Sequence, residues 1–381
     1  MKVDHTGLRT WIEIDRAAIA QNYNALRGVL PAQTLFMAVV KSNAYGHGLL
    51  DFTREIDACG ADWLGVDSIV EATALRRDGV TKPILVLGFT LPENIAVAME
   101  HDISLTVSTS ETLEAIADAA AGFSVPLKIH LKVDTGMHRQ GFQIEDMSRV
   151  LEVLKKMSAD KIIVEGLFTH FGAAKNPSFR TRTSNQLAQF AAWQKALADA
   201  GFSPLTHAAA SGGSLIFPES HFDMVRYGVA MYGLWPSVEA EGHLAGKVSL
   251  KPVLTWKTVV GEVKKVPKGD RVGYDFTEEF LRDSKIAICP IGYWHGYPRA
   301  LSSVGTVLVR GKKARVLGRV SMDMIIIDVT DIPDVAALDE VVLIGAQGGE
   351  EMSAMRMAEL ADASHYELVT RLNPLIKRIV V

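Results

Sequence analysis

Leu35-Phe36-Met37-Ala38-Val39-Val40-Lys41-Ser42-Asn43-Ala44-Tyr45-Gly46-His47-Gly48 decides how the chain is read. The apolar run Leu35–Val40 is short enough for a buried strand. It stops at a lysine, crosses a polar, Gly-bearing turn, and resumes at Leu49 as the apolar start of a helix. A lysine at the carboxyl end of a buried strand loses hydration, which disfavours the ammonium and lowers its pKa. An amine tuned in this way is a usable nucleophile, the requirement for a Schiff-base lysine. Tyr45, Gly46 and Gly48 would let a hydroxyl and the backbone approach an anion nearby. Taken alone, the segment fits equally well a lysine that caps a strand at the surface.

Outward from Lys41 the same strand–turn–helix unit repeats. Strands are expected at Leu35–Val40, Asp62–Val66, Pro83–Leu87, Ser104–Val107, Leu127–Val133, Ile162–Phe168, Leu205–Ala210 and Met224–Val229. Helices fall between most of them, the clearest over Glu111–Ala121 behind the Ser108-Thr109-Ser110 cluster. Asp67 or Ser68 caps another that runs to Arg77. Near-continuous apolar strands alternating with helices imply a parallel sheet covered on both faces. Eight such units closing on themselves make an α/β fold, a (β/α)8 TIM-type barrel, with chemistry at the carboxyl ends of the strands. A doubly wound open sheet is the competing architecture, but no Gly-x-Gly-x-x-Gly turn follows any strand.

After Tyr232-Gly233-Leu234-Trp235-Pro236 the alternation stops. From Leu250 onward short strands dominate: Val253–Val263, Lys285–Cys289, Thr306–Val309, Ala314–Leu317, Ile325–Val329 and Glu340–Ile344. Arg310-Gly311-Lys312-Lys313 reads as a hairpin turn, and one late helix is expected over Ser353–Ala361. The expected domains are a barrel over 1–240 and a mainly-β domain over 241–381.

Composition narrows the function classes. The chain has 381 residues, 48% hydrophobic and 22% charged, with a net charge of −4, ordinary for a globular protein. That mildly acidic balance gives no sign of a nucleic acid or an anionic membrane as partner. Cys59 and Cys289 cannot form a disulfide framework, which fits a reducing cytoplasm. Met1–Thr10 lacks the apolar core of a signal peptide, and no apolar run is long enough to span a bilayer.

Polar groups collect at the predicted strand ends. Lys41 ends the first strand, and Lys132-Val133-Asp134-Thr135-Gly136-Met137-His138-Arg139 ends the fifth. Thr169-His170 ends the sixth, the seventh carries His207 and leads to Ser211, and Arg226 lies on the eighth before Tyr227-Gly228-Val229. Convergent polar groups in a concave site are the default active site. Individually each has a plain reading: a core histidine for His170, a turn glycine for Gly228, a salt-bridged arginine for Arg226.

Val39-Val40-Lys41-Ser42-Asn43-Ala44-Tyr45-Gly46-His47-Gly48 resembles the pyridoxal-phosphate lysine motif of the alanine racemase family. Further family motifs follow in order from Trp11-Ile12-Glu13-Ile14-Asp15 to Tyr366, so the resemblance covers nearly the whole chain. It implies a racemase that carries its cofactor on Lys41, with Tyr45, Ser211, Gly228, Val229 and Tyr366 on the phosphate and His170 against the pyridine ring. It puts the Arg226 guanidinium at the pyridine nitrogen. Arginine is a donor only, so it cannot accept that nitrogen's proton, and the ring becomes a weaker electron sink. The related decarboxylases place an acid there. Arg139 resembles the arginine that holds the second base near the substrate carboxylate, and Lys132 matches a position that is often carbamylated. Arg271-Val272-Gly273-Tyr274 matches the segment of the second base, Tyr274. Tyr293 resembles a gate residue, and in Ser321-Met322-Asp323 the Met322 N–H meets the substrate carboxylate while Asp323 lines the site.

The pattern departs from the family at several points. Ala210 stands where His-x-Ala-Asn-Ser has asparagine, Gly273-Tyr274-Asp275 replaces Ser-Tyr-Gly, and Gly292-Tyr293-Trp294-His295-Gly296-Tyr297 replaces Gly-Tyr-Ala-Asp-Gly-Tyr. These changes bear on substrate range more than on reaction type. The resemblance thus implies a head-to-tail homodimer with shared sites that interconverts L- and D-alanine for peptidoglycan, and the cysteine usage places it in the cytoplasm. A serine or broad-spectrum racemase is the alternative. A non-catalytic pyridoxal-phosphate carrier would lack the β domain and the second base.

Overall fold

Residues 35–227 hold eight parallel strands in a computed structural model that describes residues 5–381. The strands are Leu35–Val39, Trp63–Val66, Ile84–Val86, Ile103–Val107, Leu127–Lys132, Ile162–Phe168, Leu205–His207 and Met224–Tyr227. Each pairs with the next in sequence, and the eighth pairs with the first, setting Arg226 opposite Met37. The seventh and eighth form no continuous ladder, just an isolated Ala210–Arg226 bridge among the described residues, so the barrel is nearly closed. Parallel strands need crossovers on one hand, and helices capped from the sequence supply them. Ser68 accepts from the Glu71 N–H to start Ile69–Arg77, and Thr109 accepts from the Thr112 N–H to start Ser110–Ala119. Such a cap is worth about 1 kcal/mol. Phe36, Leu64, Ile84, Val107 and Leu131 are fully buried on these strands. Each buried side chain of that size contributes about 2 kcal/mol.

The chain divides into two compact units. The barrel unit comprises Ala17–Ser42 and Phe52–Lys251. The other gathers the chain up to Arg16, the short segment Asn43–Asp51, and Pro252–Val381. Its sheet runs Glu262–Val266, Ser284–Cys289, Ile325–Asp328, Lys312–Leu317, Thr306–Val309, Glu340–Gln347, Leu254–Val259, Thr10–Ile14 and Lys377–Val380. Thr10–Ile14 is antiparallel to Leu254–Val259 and parallel to Lys377–Val380, so the two chain ends close one sheet.

Two details differ from the sequence reading. The expected strand Val253–Val263 is two strands, Leu254–Val259 and Glu262–Val266. The chain changes partners between them: Val260 donates to Asp339 O and Gly261 to Ile288 O. A second late helix, His365–Thr370, follows Ala354–Leu360. Six residues are too few to display a helical period, but the Ser364 cap on the Tyr366 N–H explains its start. The Arg310-Gly311 turn is as expected, with both φ angles positive (50° and 71°), as a two-residue hairpin requires.

Candidate active site

At the barrel's carboxyl end Lys41 begins where the first strand stops. The expected burial is absent, since its side chain is 36% exposed and its Nζ pairs with Asp67 Oδ1 at 3.0 Å. The strand emerges at Lys41, and the carboxylate at the end of the neighbouring strand meets it. Asp67 reads in sequence only as a helix cap; Ser68 takes the cap, which leaves the Asp67 carboxylate for the lysine.

Lys132, the last residue of the fifth strand, is buried and donates to Gln140 Oε1 at 2.7 Å, and Gln140 donates to Ser108 Oγ at 3.2 Å. Burial, then Arg139, Arg226 and Lys41, push its amine down to about 8. Arg139 is exposed on the loop behind Asp134, whose Oδ1 accepts the Gly136, Met137 and His138 amides at 2.9, 3.0 and 3.1 Å. Lys41, Lys132, Arg139 and Arg226 therefore give the barrel end a cationic field.

Arg226 organises the interior. Its Nη1 donates to His207 Nδ1 at 2.9 Å and His207 O at 3.0 Å. Its Nη2 donates to Thr169 O at 2.7 Å and Ala208 O at 2.9 Å, with His170 Nδ1 at 3.4 Å. The Nε–H has no hydrogen-bond partner among the described residues. An imidazole that accepts at Nδ1 carries its proton on Nε2. His207 therefore donates from Nε2 to His130 Nδ1 at 2.9 Å, and His130 donates from Nε2 to Glu165 Oε2 at 3.2 Å. The Ser104 hydroxyl donates to the same carboxylate oxygen. Burial, followed by Arg226, pushes His207 well below its ordinary value and His170 down to about 3, so both are neutral. Burial also lowers Arg226, to about 9. Gly166 is required beside this chain, because a Cβ there would lie 2.0 Å from His130 Nδ1. His130 and Glu165 were missed as site residues. The signal was the alternation Lys128, His130, Lys132, which puts polar side chains on one face of a barrel strand.

Ser211 opens the helix Ser211–Ile216, and its Oγ accepts the Gly228 and Ala230 amides at 3.1 and 3.4 Å. Val229 opens the turn Val229–Tyr232, where first amides have no partner within the turn. A hydroxyl and several N–H groups thus cluster at the ends of the last two strands.

The expected polar turn after Lys41 begins as a helical turn, Lys41–Tyr45, of left hand. Ser42, Asn43, Ala44 and Tyr45 have φ of 56°, 56°, 52° and 50°. For residues with a Cβ this costs about 1–2 kcal/mol each. In the second unit the Tyr45 and Tyr366 rings lie 6.5 Å apart. Tyr274 is 68% exposed, between Gly273 and Asp275, both at positive φ (74° and 61°). Asp275 pairs with Arg319 Nε at 2.8 Å. Tyr293 donates its N–H to Ser321 O and Trp294 to Met322 O, both at 3.0 Å, which ties the expected gate to the Ser321-Met322-Asp323 loop. Buried His295 faces Asp323 with its Nδ1 4.0 Å from the carboxylate.

Residues 14–236 match the alanine racemase N-terminal domain and 253–380 the alanine racemase C-terminal domain. The chain belongs to the alanine racemase family. It is 41% identical to the alanine racemase of Symbiobacterium thermophilum, over 99% of this chain and 98% of that one. It is 40% identical to the alanine racemase of Clostridium perfringens, over 97% and 94%. Its fold is similar to that of alanine racemase from Bacillus anthracis with bound L-Ala-P (TM-score 0.92, 36% identity, covering 98% and 95%). A histidine racemase from Leuconostoc mesenteroides is also similar (TM-score 0.89, 31% identity, covering 100% of both). The chain is an amino-acid racemase.

The residues fit pyridoxal phosphate. An unprotonated ring nitrogen accepts a hydrogen bond, and Arg226 keeps one N–H without a partner among the described residues. The phosphate asks for N–H and O–H donors; the Ser211 hydroxyl and the Val229 N–H could supply them, with the Gly228 N–H shared with Ser211 Oγ.

Proposed function

We propose that this racemase interconverts L- and D-alanine with pyridoxal phosphate held on Lys41, using Lys41 and Tyr274 as bases on opposite faces of the α-carbon. The observation that carries the cofactor reading is Arg226. Four of its five N–H groups are fixed by the barrel, and the remaining Nε–H would face the pyridine nitrogen. When bound, the cofactor supplies the electron sink that acidifies the substrate α-proton. Ser211, Gly228 and Val229, with Tyr45 and Tyr366, would hold its phosphate, and His170 would pack on its ring. Lys41 would move the proton on one face of the α-carbon, and Tyr274 would move it on the other. A phenol with reference pKa of about 10 needs a nearby cation or imidazole to act as base, and Arg139 and His170 fill that role in this reading. Met322 N–H and Arg139 would hold the substrate carboxylate, with Tyr293 and Asp323 at the entrance. The amine of Lys132, lowered to about 8, suits attack on carbon dioxide, which would give a carbamate facing Arg139 and release a proton.

Tyr274 reaches the site from a partner subunit in this reading, so the enzyme is a homodimer. It works in the cytoplasm and supplies D-alanine for peptidoglycan. No described helix is long and apolar enough to cross a membrane. Borohydride treatment of the purified protein should fix the cofactor to Lys41, as located by peptide mass. A label on any other lysine overturns the assignment. Chiral analysis after α-proton exchange in heavy water, across a panel of amino acids, should find alanine exchanged fastest.

A further inference from the structure

A left-handed turn built from Ser42, Asn43, Ala44 and Tyr45 is strained and needs support. Inside it the Gly48 N–H reaches Asn43 O at 3.0 Å, the His47 N–H reaches Ala44 O at 2.9 Å, and the Leu49 N–H reaches Asn43 Oδ1 at 2.8 Å. One external hold is Arg378, on the strand Lys377–Val380 and only 7% exposed. Its Nε and Nη2 donate to Gly46 O at 3.2 and 2.9 Å. Its Nη1 donates to Asn373 O at 2.7 Å and Ile376 O at 2.6 Å, and Nη2 also to Leu372 O at 3.3 Å. All five N–H groups therefore end on backbone carbonyls.

A guanidinium spent wholly on carbonyls acts by shape. It ties Gly46, directly after Tyr45, to residues 372–376, directly after the helix His365–Thr370 that carries Tyr366. The two chain segments touch at Gly46, where a Cβ would sit 1.9 Å from Val369 O. The Tyr45 and Tyr366 rings stand 6.5 Å apart.

We propose that Arg378 is a positioning residue, which holds the left-handed turn so that Tyr45 and Tyr366 are preset as a pair of hydroxyl donors for a phosphate monoester. The proposal rests on the assignment of both tyrosines to the cofactor phosphate. Presetting donors saves the ordering cost that binding would otherwise carry. Lysine keeps the charge but has three donors and no planar fork, so it cannot serve the four carbonyls together.

The test is R378K, with the apoprotein titrated by absorbance against pyridoxal phosphate and against pyridoxal, which lacks the phosphate. Affinity for pyridoxal phosphate should fall at least about tenfold, while that for pyridoxal stays within about twofold. Amide exchange at His47, Gly48 and Leu49 should speed up, with barrel amides unchanged. Asn43→Ala, which removes the Leu49 acceptor and loosens the same turn from inside, should give the same selective loss and serves should R378K misfold. Equal losses for both ligands, or faster exchange with no loss of affinity, overturn the proposal. Tyr45→Phe and Tyr366→Phe separate the two levels. If they lose the phosphate preference and R378K keeps it, the clamp is wrong and the phosphate assignment stands. If they also keep it, the phosphate assignment fails and the clamp's role falls with it.

Discussion

Arg226 shows how much one side chain can be constrained. Four donors are committed, and the two imidazoles behind it, His207 and His130, are held in single tautomers between the guanidinium and the Glu165 carboxylate. Replacing it by glutamate reverses the charge at the proposed ring-nitrogen contact and supplies an acceptor for a proton there. With a protonated ring nitrogen the electron sink is stronger, and the carbon acid stays deprotonated longer. Racemisation by Arg226→Glu should slow about 10²-fold, the scale of losing one preorganised electrostatic contact. The ratio of pyruvate to D-alanine formed should rise, and an unchanged ratio would count against the contact. Arg226 was legible from sequence because it sits on a strand just before Tyr227-Gly228-Val229. Asp67, His130 and Glu165 were not, because each has an ordinary local reading and becomes part of the site only through pairing across neighbouring strands.

At the scale of elements, the barrel strands were the most legible part, since continuous apolar runs between capped helices admit few alternatives. The turn after Lys41 was the least, because no residue in Ser42–Tyr45 favours left-handed angles strongly enough to betray them; bonds to Asn43 and packing at Gly46 and Arg378, distant in sequence, support them. His47 in that segment is buried, and burial lowers it from 6.5 to about 4. The unfolded chain therefore takes up a proton that folded His47 refuses. Stability from this group is full above pH 6.5 and is lost as pH falls from 6.5 towards 4, by about 3 kcal/mol in all. His170, lowered to about 3, acts with the same sign. Denaturant midpoints across that window should fall for the native chain and fall less for His47→Gln. The loops that depart from the family pattern carry a separate expectation. The charge of Asp275 is met by Arg319 at 2.8 Å, and the side chain lost at Ala210 removes two donors and an acceptor beside the Arg226 bridge. Ala210→Asn and Asp275→Gly should each shift the kcat/KM ratio of alanine to serine by a few-fold, about 1 kcal/mol. Ratios equal to the native chain's would make both departures neutral.

At the scale of the whole molecule, the second unit bears Tyr274, Tyr293, Trp294, Met322 and Met324 exposed on its surface. The backbone ties Tyr293 and Trp294 to the Met322 loop, and grouped exposed apolar side chains mark interaction surfaces. Under the proposed mechanism, Lys41 at a barrel end and Tyr274 must flank one α-carbon within hydrogen-bond reach of its proton. If a second copy supplies Tyr274, two-fold symmetry gives two equal composite sites. Lys41→Ala and Tyr274→Phe homodimers should then each lose nearly all racemisation. In their heterodimer one site collects both lesions. The other joins the intact Lys41 of the Tyr274→Phe chain to the intact Tyr274 of the Lys41→Ala chain. Refolding the two variants together, with differently tagged chains to isolate the mixed species, should recover up to about half the native activity per dimer, since one of the two sites is whole. Tagged heterodimers as inactive as their parents would place both bases within one chain.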